Sequence, residues 1–66
     1  MTKQNDFNMY TIWISDGEVA KENGDWDKYN EHCWLAERCA NRLGLDAPSW
    51  VSMAAANHVA KTKAAA

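Results

Sequence analysis

The stretch GDWDKYNEHCWLAERCANRLGL, Gly24 to Leu45, decides how the rest of the chain must be arranged. Its apolar residues recur every three or four positions, which is the period of a helix with a buried stripe: Trp26, Tyr29, Cys33, Ala36, Ala40 and Leu43. A second stripe, Leu35, Cys39 and Leu43 with His32 at its edge, runs beside the first. A helix apolar on two adjoining faces is held between two partners. The stretch therefore predicts one helix before it and one after it.

Local signals place the ends of these helices. Gly24 is suited to close the first helix, Asp25 to cap the second, and Asp27 to favour its first turn. Gly44 ends the second helix, with Arg42 near its carboxyl end. Asp46 can cap a third, with Pro48 in the first turn where its missing N–H is harmless, and Trp50, Met53, Ala54 and Ala60 supply its packing stripe. Upstream, 8–23 has two readings. Asp16-Gly17 after alternating Tyr10, Ile12 and Ile14 suits a β-hairpin turn. Met9, Ile12, Trp13, Val19 and Ala20 cluster on one side of a helical wheel, and Glu18 to Glu22 is helix-compatible, so the helix is preferred although Asp16 falls inside its apolar arc. Residues 1–6 are polar and aperiodic, and 1–7 reads as a flexible tail with Phe7 able to anchor it. The expectation is an all-α fold in one domain over 1–66: a helical hairpin with a third helix, spanning 8–23, 25–43 and 47–61.

Composition narrows function. A chain of 66 residues buries only about 60% of its unfolded surface and needs a staple. Cys33 and Cys39 lie on different turns of one helix and point apart, so they read as reduced, buried side chains rather than a disulfide. Self-association remains, and a homodimer is expected. A net charge of −2 and a pI near 5.5 argue against a general nucleic-acid or anionic-membrane binder. MTKQNDFNMY has no apolar targeting region, and no run approaches the roughly eighteen apolar residues of a spanning helix, so a soluble cytoplasmic protein is expected.

No catalytic or cofactor signature stands out. His32, Cys33, Cys39 and His58 could be assembled into a zinc ligand list, but neighbours on a helix point about 100° apart and no C-x-x-C or H-x-x-x-H pair is present. A Cys–His nucleophile pair has the same defect. Asp25, Asp27 and Glu31 are explained by helix starts and solvated faces. No metal, no cofactor and no enzymatic activity are expected.

The tryptophans divide. Trp13, Trp26 and Trp50 fall on packing stripes and are predicted core. Trp34 falls among Glu31, Arg38 and Asn41, on the side the stripes leave free, and Tyr10 and Ile14 face away from the first helix's main stripe. Large aromatics with a neighbouring arginine suit an interface, so Trp34, Tyr10, Ile14, Arg38 and Glu31 are the predicted partner-binding residues.

Three resemblances bear on this. Trp13, Gly17, Gly24, Trp26 and Ala36 resemble the spacing of a tetratricopeptide-type helical hairpin, with departures at Asp16, Tyr29 and Cys33; the resemblance implies hairpin geometry. Ala40-Asn41-Arg42-Leu43-Gly44-Leu45-Asp46, followed by Trp50 and Met53, looks like a helix-turn-helix. Its recognition helix would expose Ala47, Pro48, Ser49, Val51 and Ser52, which offer no Arg or Lys for phosphate and no long amide for a base edge. The run YTIWISDGEVAKENGDWDKYNEHCWLAER is similar to short accessory proteins of temperate phages that disable bacterial regulators, including quorum-sensing anti-activators. That resemblance implies a helical homodimer acting in the host cytoplasm on a host protein such as a transcriptional regulator. The expected function is protein binding. The alternatives are a helix-turn-helix-like DNA-binding regulator and a structural subunit of a larger assembly.

Overall fold

The computed structural model describes residues 3–65, with side chains over 4–64, as three helices: α1 (Lys3–Glu22), α2 (Trp26–Leu43) and α3 (Ser49–Ala65). The chain is an all-α small bundle, with no strand among the described residues.

The helix ends follow the local chemistry. Gly24 at φ 74° closes α1, with its N–H donating to the Lys21 carbonyl (3.0 Å) and the Asp25 N–H to that of Ala20 (2.9 Å). Gly44 at φ 72° closes α2 in the same way, the Leu45 N–H donating to the Ala40 carbonyl at 2.9 Å. In both, a left-handed glycine satisfies carbonyls that the helix leaves open. Asp25 caps α2 by accepting from the Lys28 N–H at 3.2 Å. The start of α3 differs from expectation. The Pro48 carbonyl accepts from the N–H groups of Val51 (3.0 Å) and Ser52 (3.2 Å), so Pro48 itself is the cap and Asp46 stands outside the helix.

α1 begins five residues earlier than the sequence indicates, and the tail expected over 1–7 is corrected for residues 3–7; residues 1–2 lie outside the described residues. The cause is a long-range contact. Asp6 is buried, and Arg42 Nε donates to its Oδ1 at 3.0 Å, tying the start of α1 to the end of α2. The bond to Asp6 pushes the Arg42 guanidinium above its ordinary value. Gly17 does not turn the chain but lies buried inside α1, where it faces His32 and Cys33 of α2. Residue 6 near 42 and 17 near 33 make α1 and α2 an antiparallel hairpin.

The buried line on α1 is Asp6, Gly17 and Ala20, with Tyr10 and Trp13 partly buried between them. Those positions are spaced four, three, four and three. Ile12 (47% exposed) and Val19 (54% exposed), predicted core, sit instead on the outer side of α1. The rotation has a physical reason: a glycine and an alanine let two helices approach closely, and bulky β-branched residues in the same seam would hold them apart.

α2 is the middle element, as its two stripes require. It buries Cys33, Ala36, Cys39 and Ala40 and packs against both α1 and α3, whereas no Cα of α1 lies within 8 Å of one in α3 among the described residues. α3 buries Val51, Ala54 and Ala55. Its predicted stripe is corrected: Trp50 is 40% exposed, Met53 69%, and Ala60 is also exposed. Trp26 is corrected too, at 54% exposed. Among the described residues the largest fully buried side chains are Val51, Cys33 and Cys39. Small residues thus form the helix contacts, and the large aromatics are displaced to their margins.

Candidate protein-binding surface

Three rings form a continuous line across the starts of α2 and α3. Trp26 and Tyr29, one turn apart on α2, meet edge to face with centroids 5.6 Å apart and planes at 87°. The Tyr29 ring also lies nearly parallel to that of Trp50, at 13° and 6.5 Å. Met53, one turn beyond Trp50, prolongs the apolar edge.

The end of α1 walls this line with charge. One cleft of about 220 Å³ is lined by Glu18, Lys21, Tyr29 and Trp50; an adjoining one of about 430 Å³ is lined by Glu18, Lys21, Glu22 and Trp26. Burial chiefly, then the neighbouring Cys33 and the Glu18 carboxylate, push the Tyr29 phenol above its ordinary value. Among the described residues the ion pairs are Arg42 with Asp6 and Lys61 with Asp27, which leaves Glu18, Lys21 and Glu22 without a salt-bridge partner.

The residues singled out from sequence are only partly brought together. Trp34 and Arg38 do meet: the guanidinium carbon stands 4.9 Å from the indole centroid, as their i, i+4 spacing allows. Trp34 is nevertheless not a free anchor. It is partly buried and leans on His58 of α3, centroids 5.1 Å apart, beside a shallow groove shared with Val59, Thr62 and Lys63. Tyr10 and Ile14, expected to face away from the packing, are partly buried against Cys33, Ala36, Val51 and Ala54. Glu31 and Arg38 are exposed on α2. Val51, an exposed position in the helix-turn-helix reading, is buried.

The candidate chemical groups are dispersed. His32 meets Trp13 at 5.3 Å with the rings tilted by 46°, its Nδ1 buried and without a hydrogen-bond partner among the described residues, while His58 meets Trp34 at a tilt of 42°. Cys33 and Cys39 are buried free thiols. Burial pushes the Cys33 thiol up, a hydrogen bond with Tyr29 only partly opposing it, so little thiolate forms near neutral pH. Among the described residues no three His, Cys, Asp or Glu side chains gather as a metal site, and no helix is long and apolar enough to cross a membrane.

Spacing alone places Trp26, Trp50 and Met53 in the core. A competing stripe was present in the sequence: Val51, Ala54, Ala55 and His58 follow the same period at a different angle, and small residues mark the closer helix approach. No protein-family model, curated protein or solved structure matches the chain.

Proposed function

We propose that the chain is a non-enzymatic protein-binding module that works as a homodimer and acts as a small inhibitor of a larger protein, such as a transcriptional regulator. The observation that carries this reading is the line of Trp26, Tyr29 and Trp50, held at the surface of a domain whose own core is built from alanine, cysteine and valine. Aromatic rings lose little conformational entropy on binding and dominate interface energetics, so three in a row beside charged groups make an interface centre with a polar rim. The regulator-inhibitor class comes from the resemblance to phage accessory proteins. A second apolar surface supports self-association: Ile12 and Val19 lie seven residues apart on the outer side of α1, the repeat of a helix–helix seam.

Two measurements test the reading. Sedimentation at micromolar concentration should give about twice 7.4 kDa for the wild type and for Trp50→Ala, and a monomer for Ile12→Glu. A monomeric wild type removes the dimer from the proposal. Affinity capture from the host lysate, run in parallel with wild type and the Trp26→Ala/Trp50→Ala double variant, should retain a specific protein only with the wild type. Equal capture by both would overturn the assigned surface, and retention on DNA that weakens steeply with salt would favour nucleic-acid binding instead.

A further inference from the structure

We infer that the aromatic cleft receives a cationic side chain, an arginine or lysine on an exposed segment of the partner, with Glu18 and Glu22 as its counter-charges. The inference rests on the protein-binding reading and names the chemistry that this surface recognises.

The four tryptophans make the comparison internally. Trp34 already carries a cation, since Arg38 stands over its ring at 4.9 Å, and Trp13 meets the His32 ring at a tilt. Trp26 and Trp50, 54% and 40% exposed, have no such cation among the described residues. An aromatic face attracts a cation through its quadrupole, and Trp does so most strongly. The rings here do not present a closed apolar surface: the 87° angle between Trp26 and Tyr29 turns one ring's edge to the other and leaves an indole face open.

The carboxylates supply the second half of the argument. Asp25 is committed to capping α2 and Asp27 to Lys61, whereas Glu18 and Glu22 line the clefts with no cation within ion-pair distance among the described residues. Glu22 is also the last residue of α1, where the helix dipole disfavours an acid. An incoming cation would relieve that repulsion and gain the ring faces at once. An anionic or purely apolar partner would leave that repulsion in place.

Lys21 stands in both clefts and gives the inference an opposing sign to test. Its ammonium occupies the same field that a partner cation would enter. Removing it should strengthen binding, while removing Glu18 or Glu22 should weaken it.

The test uses the full chain with a blocked pentapeptide, acetyl-Gly-Gly-Arg-Gly-Gly-amide, and the same peptide carrying citrulline, which keeps the shape of arginine but lacks its charge. The four indole N–H signals in NMR report the site. The arginine peptide should shift the Trp26 and Trp50 signals at millimolar concentration, leave Trp13 and Trp34 in place, and bind at least fivefold more tightly than the citrulline peptide. Glu18→Gln/Glu22→Gln should lower affinity fivefold or more, and Lys21→Gln should raise it about twofold. All these positions are exposed, and an unchanged melting curve checks each variant. Equal binding of the two peptides, shifts centred on Trp34, or indifference to the Glu variants overturns the inference. If that happens while the wild type still captures a protein that the Trp26→Ala/Trp50→Ala variant does not, the surface binds by apolar contact and the broader reading stands. If the arginine peptide binds as described and no protein is captured, the cleft chemistry survives and the protein-binding reading does not.

Discussion

Replacing Gly17 by alanine should stabilise this protein, although the position is buried at a helix crossing. A Cβ built there would lie 3.6 Å from His32 Cβ and 3.9 Å from both Cys33 Sγ and Tyr29 Cδ1, which is ordinary van der Waals contact. Gly17 lies within α1, and among the described residues positive φ is confined to Gly24 and Gly44, so alanine meets no backbone strain there. Alanine in place of glycine inside a helix contributes about 1 kcal/mol, and a newly buried methyl group up to about 0.8 kcal/mol. The expected gain is therefore about 1–2 kcal/mol, and a domain of this size moves by about 4–8 °C in Tm per kcal/mol. Thermal and urea unfolding followed by circular dichroism should show a rise of about 5 °C or more. Gly24→Ala is the control: nothing lies within 4 Å of its Cβ, but φ is +74°, so the left-handed backbone should cost about 1–2 kcal/mol. A fall in Tm for Gly17→Ala would refute the reasoning and mean that α1 and α2 approach more closely than these distances.

Trp26→Ala should change stability by less than about 1 kcal/mol because the ring is largely exposed, whereas Trp34→Ala, which loses packing on His58 and Arg38, should cost about 2 kcal/mol, roughly half the value for a fully buried Trp; urea midpoints in the reverse order would contradict the placement of both rings. Ala36→Leu, at a fully buried position in the core between the helices, should cost about 1–3 kcal/mol by overpacking, read from the same unfolding curves. Burial raises the Cys33 thiol from its ordinary 9.0 and the Tyr29 phenol from 10.0, so the unfolded chain releases these protons first. Their contribution to stability is complete below about pH 9 and declines as pH rises beyond it; Cys33→Ala should remove the earlier part of that decline in urea midpoints measured from pH 8 to 11.

The parts of this fold that were legible in the sequence are those set by neighbours along the chain. Gly24 and Gly44 end helices because a left-handed residue satisfies carbonyls three to five positions back, and Asp25 begins one because its side chain reaches an N–H three positions ahead. The two adjoining stripes of α2 likewise foretell a helix held between two others, and the pairing of Trp34 with Arg38 follows from one turn of helix. Tertiary structure alone decided which way α1 and α3 rotate. Hydrophobicity favours burying Ile12, Val19, Trp26, Trp50 and Met53, but helix approach is governed by the smallest side chains at the contact, here Gly17, Ala20, Ala36, Ala54 and Ala55. The ion pair of exposed Arg42 with buried Asp6, 36 residues apart, then carries α1 back to Lys3. The candidate site arises from the same rotation: Tyr29 and Trp50 belong to different helices, and no spacing within either one reveals that their rings meet.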